Sequence, residues 1–450
     1  MLAKKFAFIT RIDWFYAVAI AYVLYMPFHV FIAQSASLVT GGLEVWKAAK
    51  DVVIFLLAPI LLYVAYRRRL FQDKTFLFLA ILGAVYAFIH GLYLVLDGTD
   101  DTYSTLIACV YNTRLLGFLL LGYVVGSSKN SVVYVKTLFT VAVLVAVLVA
   151  VLGIAQYFLP HDILTNVGYS LERGVKPMFF IDDKPDLPRI MSTLKDPNSL
   201  GSYFILPIIA CGVALFKRSS NTQLFIRPFR RGTLSVFIAV LVTALFLTFS
   251  RGALLALGIS VVTILSIVLG QRLLTLARKF IVYIVIGILM LVSVTMLLKD
   301  SYLFQNVIFH ADQSTVLADP NELRVELTKK AVEAVVDEPL GHGPGTAGLI
   351  AIRNPKGGIL TENYYLQIVY EVGWLGGIVF ILILALLTKE LMSQVVQTKS
   401  PHAQILVSTL AGYLFYSLLI HLWSNEAIAL QWWLLTGLVL GSRLYTLKKI

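Results

Sequence analysis

Apolar runs of about 20 residues recur from one end of this chain to the other, each long enough as a helix to cross a hydrocarbon core of roughly 30 Å. With 58% of its 450 residues hydrophobic and only 14% charged, the chain has no composition left for a separate soluble domain. The expected fold is all-α: a polytopic membrane protein of about 12 transmembrane helices forming a single integral membrane domain over residues 1–450. The runs place spans near 14–33, 52–66, 75–96, 105–126, 132–158, 199–216, 233–249, 252–269, 279–298, 362–388, 403–422 and 429–445. The basic N-terminus, MLAKKFAFITR, leads into a run long enough to span and without a small-residue cleavage site, so it reads as a first helix rather than a signal peptide.

Charge orients these spans. Lys4, Lys5 and Arg11, then Arg67 to Arg69, Lys129, then Arg227, Arg230 and Arg231, then Lys389 and Lys399, and finally Arg443 and Lys448 all fall on one side of a twelve-span arrangement. By the positive-inside rule that side is the cytoplasm and holds both termini. Among the acids only Asp13, Asp73 and Glu390 share it. The net charge of +12 follows from these short basic loops and does not argue for nucleic acid. Two long outer loops remain, about 159–198 and about 299–361. In the second, Leu323, Leu327, Ala331, Ala334 and Val335 recur at helical spacing, with Asn321 as the expected cap and Pro339 as the stop. This amphipathic helix would lie on the outer membrane surface or over a cavity. Cys109 and Cys211 both sit in apolar runs and read as small core residues.

Several residues could carry chemistry. Arg251, in LTFSRGALLALG, stands at the outer end of two spans joined by almost nothing; it either snorkels to anchor a helix end or clamps an anionic head group. Arg114 lies mid-span, where charge costs roughly 2.5–3.5 kcal/mol or more, and either pairs with an intramembrane acid such as Glu371 or serves substrate. Arg189 and Lys195 precede Asp196-Pro197-Asn198, and Arg324 opens the amphipathic stretch. Together they give the outer face several cations near the membrane plane, suited to a polyanion or a pyrophosphate-bearing lipid. Glu362 and Asn363 stand at the start of the tenth span. Thr361 could cap that helix, and a partly desolvated Glu362 could instead act as a general base. His342, in GHGPG, competes for that role because a histidine titrates in the right range.

The glycine-rich GHGPGTAG lacks the GK[ST] of a P-loop, which removes ATP as a direct substrate, and no HExxH or clustered His/Cys spacing argues for a metal. No cofactor is expected. An activated donor must come from the membrane itself.

Taken in order, RIMSTLKDPNSLGSY, LTFSRGALLALG, NELRVELTKKAVEAVVDEPLGHGPGT and TENYYLQIVYEVGWLGG resemble the pattern of the O-antigen ligase and polymerase superfamily, over roughly residues 185–390. The resemblance implies a bacterial inner-membrane glycosyltransferase with its active site facing the periplasm. Its donor would be a glycan on undecaprenyl pyrophosphate, its acceptor a lipid-linked repeat or, for a ligase, lipid A core; membrane lipids and a chain-length regulator protein would be its other partners. Arg251 matches the arginine of the SRG motif and Arg324 the arginine before the loop helix, both resembling pyrophosphate or glycan contacts. Arg189 matches the basic residue upstream of the PN motif. Ligases of this superfamily carry a histidine just before the asparagine that opens the late span; here Glu362 stands there, which favours a polymerase.

On this reading Glu362, Arg251 and Arg324 are catalytic, and Arg189, Lys195, Asn198, Arg114, His342 and Asn363 bind substrate, without a metal. A ligase with His342 as base is the nearest alternative. A lipid-linked glycan transporter or flippase is an alternative of another class, against which stands charge carried in outer loops rather than at the bilayer midplane.

Overall fold

A computed structural model of the protein describes residues 13–96, 102–181, 184–216, 218–270, 320–351 and 358–447. The expected ninth span, 279–298, and loop residues 299–319 lie outside these, as does the side chain of Arg324. Nine described helices are long and apolar enough to cross a membrane. The chain is an all-α polytopic membrane protein.

The helices are α1 (Trp14–Tyr25), α2 (His29–Thr40), α3 (Leu43–Arg67), α4 (Lys74–Leu96), α5 (Thr102–Gly126), α6 (Ser131–Phe158), α7 (Pro197–Tyr203), α8 (Ile205–Phe216), α9 (Arg218–Leu224), α10 (Arg231–Leu247), α11 (Arg251–Leu269), α12 (Pro320–Asp337), α13 (Gly348–Ala351), α14 (Tyr364–Thr398), α15 (Pro401–Tyr416) and α16 (Gln431–Leu447). The first expected span is thus two helices, because Pro27 breaks the ladder in a 3-10 turn at Met26–Phe28. The second begins nine residues before its apolar run: Lys50 and Asp51, excluded by hydropathy, are buried inside α3, where they pair with each other at 2.9 Å. The eleventh ends at Tyr416 rather than at residue 422. The loop helix forms as expected, but it starts at Pro320, which its fixed φ suits to a first turn, so Asn321 lies within it.

Small residues set the closest packing. Gly122 and Gly126 of α5 face Gly437 and Gly441 of α16, and a Cβ at any of the four would fall on a carbonyl oxygen of the opposite backbone. The four-residue spacing puts each pair on one helix face. At the end of the bundle away from the long loops, Arg443 joins Asp73 at 3.2 Å and Glu390, and Arg68 joins Asp13 at 3.7 Å. All three acids expected on one side therefore share one end of the bundle, each with an arginine.

The opposite end, here the loop end, carries the first long loop. Its strands β1 (Phe179–Ile181) and β2 (Lys184–Arg189) pair antiparallel, Phe179 opposite Arg189, with a register shift between Phe180 and Ile181. Tyr169, Val175 and Met191 form a small buried cluster beneath it. The hairpin thus delivers Arg189 directly above the start of α7.

Candidate functional site

The segment between α15 and α16 is where the loop end is tied together. It leaves helical geometry at Tyr416, makes a 3-10 turn at Leu422–Ser424 and re-enters through a π turn at Glu426–Leu430. Trp423 is fully buried against Trp432 and Trp433, with ring centroids 5.5 and 6.1 Å away, which anchors the segment below the surface. From that anchor successive residues reach each of the motif-bearing elements.

Tyr416 Oη lies 2.9 Å from Ser250 Oγ, and Ser250 caps α11 by accepting from Ala253 N. Gly252 sits flat on the Tyr416 ring, which leaves no room for a Cβ. The serine and glycine of SRG thus build the helix start, and Arg251 between them is exposed at the loop end. Arg189 reaches the same place from the hairpin: its Nε donates to the Thr248 carbonyl at 2.9 Å and its Nη2 to Asn198 Oδ1 at 3.1 Å. Asp196 holds Asn198 in position by capping α7 through Ser199 N at 2.8 Å. Arg189, Asn198 and the SRG turn are therefore one assembly.

Ser417, the next residue along, accepts from Tyr364 N at 2.9 Å. This fixes the start of α14. Asn363, not Thr361, caps that helix, its Oδ1 accepting from Leu366 N at 3.0 Å, while Thr361 Oγ1 donates to the Asn363 carbonyl. Glu362 lies half-buried between them with φ +45°, a left-handed backbone that costs a glutamate of order 1 kcal/mol or more. Such strain persists only where neighbours enforce it, and here the Tyr364 to Ser417 bond does so.

Deeper in the bundle, Arg114 occupies the middle of the 25-residue α5 and is fully buried. The expected pairing with Glu371 is not formed. Arg114 Nη1 lies 3.3 Å from Asp51 and 3.5 Å from Glu426, Nη2 donates to the Ser424 carbonyl at 2.8 Å, and the guanidinium stacks over Tyr111 at 3.9 Å. Lys50 completes the group, 2.9 Å from Asp51 and 3.8 Å from Glu426. Two cations and two anions balance, which is what allows four charges at this depth. Lys195 lines a small cleft with His29, Asn425 and Glu426 above the cluster.

His421 Nδ1 bonds Gln367 Oε1 at 2.8 Å. Burial, with Lys195 nearby, pushes His421 down to about 4, so the ring is neutral. His342 stands apart from this hub: it stacks on Tyr370 with centroids 4.0 Å apart, and its Nε2 lies 3.6 Å from Glu338. Among the described residues no group of three His, Cys, Asp or Glu could hold a metal ion.

The structure therefore brings Arg189, Asn198, Arg251, Glu362 and Asn363 to elements joined at Tyr416–Ser417, with Arg114 bonded to the same segment at Ser424 and Glu426 and Lys195 lining a cleft beside it. Sequence reasoning missed Lys50, Asp51, Tyr416, His421 and Glu426. Arg114 is legible because it lies mid-span; Lys50, Asp51 and Glu426 are not, because they lie just outside the apolar runs, in the turns that α3 and the π turn before α16 add to them.

Residues 236–381 match the family model described as O-antigen ligase. This segment is similar to the O-antigen ligase family. It contains the SRG turn, Glu362 and Asn363, and the GHGPG loop, and it ends within α14. No curated protein matches the chain. With its spanning helices, the match supports a multi-pass membrane enzyme of O-antigen ligase or polymerase type, a glycosyltransferase-like activity on lipid-linked glycans.

Proposed function

We propose that the protein is an inverting glycosyltransferase of the bacterial inner membrane that polymerises surface-polysaccharide repeats carried on undecaprenyl pyrophosphate, with both termini cytoplasmic and the loop end facing the periplasm. The observation that carries this reading is the convergence on Tyr416–Ser417 of the SRG turn, the Arg189–Asn198 pair and the strained Glu362. Cations and a half-buried carboxylate thereby stand on elements that meet at one segment.

In the reaction, a hydroxyl oxygen of the acceptor sugar attacks the anomeric carbon of the donor glycan. The bond from that carbon to the pyrophosphate oxygen breaks, and the pyrophosphate leaves with the electron pair. Arg251 and Arg189 stabilise the charge that gathers on the leaving group, with Arg324 as a further cation from α12. Glu362 accepts the hydroxyl proton. One displacement by one nucleophile inverts the anomeric centre, and because pyrophosphate leaves without being protonated, the general acid of a glycoside hydrolase's carboxylate pair is not needed. Lys195, Asn198, Asn363 and His342 line the approach of the glycan and its phosphates, and Arg114 supports the site from below through Ser424 and Glu426. The engagement of His342 with Tyr370 favours Glu362 over it as base.

The test is to incubate the purified protein with undecaprenyl-pyrophosphate-linked repeats alone and to separate the products by size. A ladder of longer lipid-linked glycans is expected. Transfer only once lipid A core is supplied would replace the polymerase by the ligase, and absence of either product would remove the glycosyltransferase reading.

A further inference from the structure

Glu371 is the one fully buried acid that the reaction above does not use and that no cation neutralises within ion-pair distance among the described residues. It sits where α14 is interrupted, at Val372 and Gly373, directly behind the glycine-rich loop. That loop alternates: Gly341, Gly343 and Gly345 have φ of +94°, +96° and +90°, separated by His342 and Pro344. Positive-φ glycines in a tight loop can turn backbone N–H groups inward, the geometry by which backbones hold anions. A glycine-rich loop at the loop end of a phosphate-handling protein invites the reading that this hollow takes a substrate phosphate.

The structure gives it a different occupant. Gly345 N donates to Glu371 Oε1 at 3.1 Å, and Gly343 N and His342 N donate to the carbonyls of Glu371 and Tyr370 at 2.9 and 2.8 Å. Ala347 N and the side chain of Gln367 also reach the carboxylate. From the other side Asn112 Nδ2 donates to Oε2 at 2.7 Å, which ties the assembly to α5 two residues from Arg114. Gly341 and Gly373 press their backbones together at the break, too closely for a Cβ on either.

We infer that Glu371 is a positioning residue: held by Asn112, its carboxylate fills the hollow of the 341–347 loop as an internal anion, and so fixes that loop and His342 at the margin of the site. The inference rests on the proposed glycosyl transfer for its activity arm only. Both oxygens face donors and the side chain is inaccessible, so substrate cannot touch it.

Exchanging the two partners separates positioning from proton transfer. Glu371→Gln turns an amide N–H toward the Asn112 donor, while Asn112→Asp sets two carboxylates against each other. The double variant restores a donor–acceptor pair with the charge moved to α5, and the new amide's oxygen still faces Gly345 N. Each single variant should reduce turnover by roughly 10-fold, the cost of one frustrated buried hydrogen bond of order 1 kcal/mol or more. It should also speed hydrogen exchange at the amides of Gly343, Gly345, Thr346 and Ala347. The double variant should recover both to within about 3-fold of the parent. A double variant whose loop is protected but which stays as inactive as Glu371→Gln would overturn the inference, because the carboxylate itself would then be required at position 371. Unchanged exchange in both single variants would overturn it as well. If the parent protein transfers no glycan, the proposed function fails, yet the exchange arm still reads the strut.

Discussion

Arg114 and Glu426 are 312 positions apart in sequence and 3.5 Å apart in space, and Asp51 and Lys50 complete the ion pairs around them. The four charges form one balanced unit, so the energetic effect of removing any of them depends on which others remain.

Arg114→Met should lower stability by about 3–5 kcal/mol, because it leaves Asp51 and Glu426 sharing Lys50 alone. Adding Glu426→Gln removes one charge of each sign and leaves the 2.9 Å Lys50–Asp51 pair intact. The double variant should therefore unfold at a higher temperature than Arg114→Met. Thermal unfolding in detergent micelles checks this, and additive losses would show that the charges do not act as a unit.

The α5–α16 seam makes a steric prediction. Gly122→Ala places a methyl on the Leu434 carbonyl, backbone against which no rotamer can yield. The helices must separate, and with them Arg114 from Glu426. The variant should express poorly or melt well below the parent, whereas Gly212→Ala, where a Cβ meets nothing within 4 Å, should behave as the parent does.

Glu362 combines a left-handed backbone with a proposed chemical role, and the two can be parted. Asparagine adopts φ near +45° with little strain, so Glu362→Asn should melt with the parent yet form no polymer. Glu362→Val should lose activity and also destabilise, by about 1–3 kcal/mol, because a β-branched side chain resists that conformation. Polymer from Glu362→Asn would remove the carboxylate from the mechanism.

His421 supplies a pH dependence. Its folded value, about 4, lies below that of an ordinary histidine, so between these values the unfolded chain binds the additional proton. Stability from this residue is complete above the unfolded pKa and is lost as pH falls toward 4. His421→Gln should therefore show a smaller drop in melting temperature between pH 7 and pH 5 than the parent, measured at constant ionic strength. An equal drop would assign the acid sensitivity to other groups.

The sequence announces the helices because hydropathy acts locally, and it announces Arg114 because a lone charge in an apolar run must be explained. It does not announce the hub. Tyr416 and Ser417 look like the ordinary end of a span, and their importance comes from contacts with Ser250 and Tyr364 across other helices. Lys50 and Asp51 escape for the opposite reason: averaging over a window treats two adjacent charges as a boundary, although neutralising each other is what permits their burial. Thr361 and Asn363 are both good caps by residue type, and only the turn at Glu362 decides between them.

The glycine seam also has a temporal side. Because α16 is the last described helix, a chain emerging from the ribosome must insert α3 and α5 long before Gly437, Gly441 and Glu426 exist. Until then Arg114 and Lys50 share Asp51 alone, an unbalanced positive charge at membrane depth. The nascent bundle must stay loose or hydrated around α5 through most of translation. Closure of the seam against α16 is then the event that both dries the interior and completes the site.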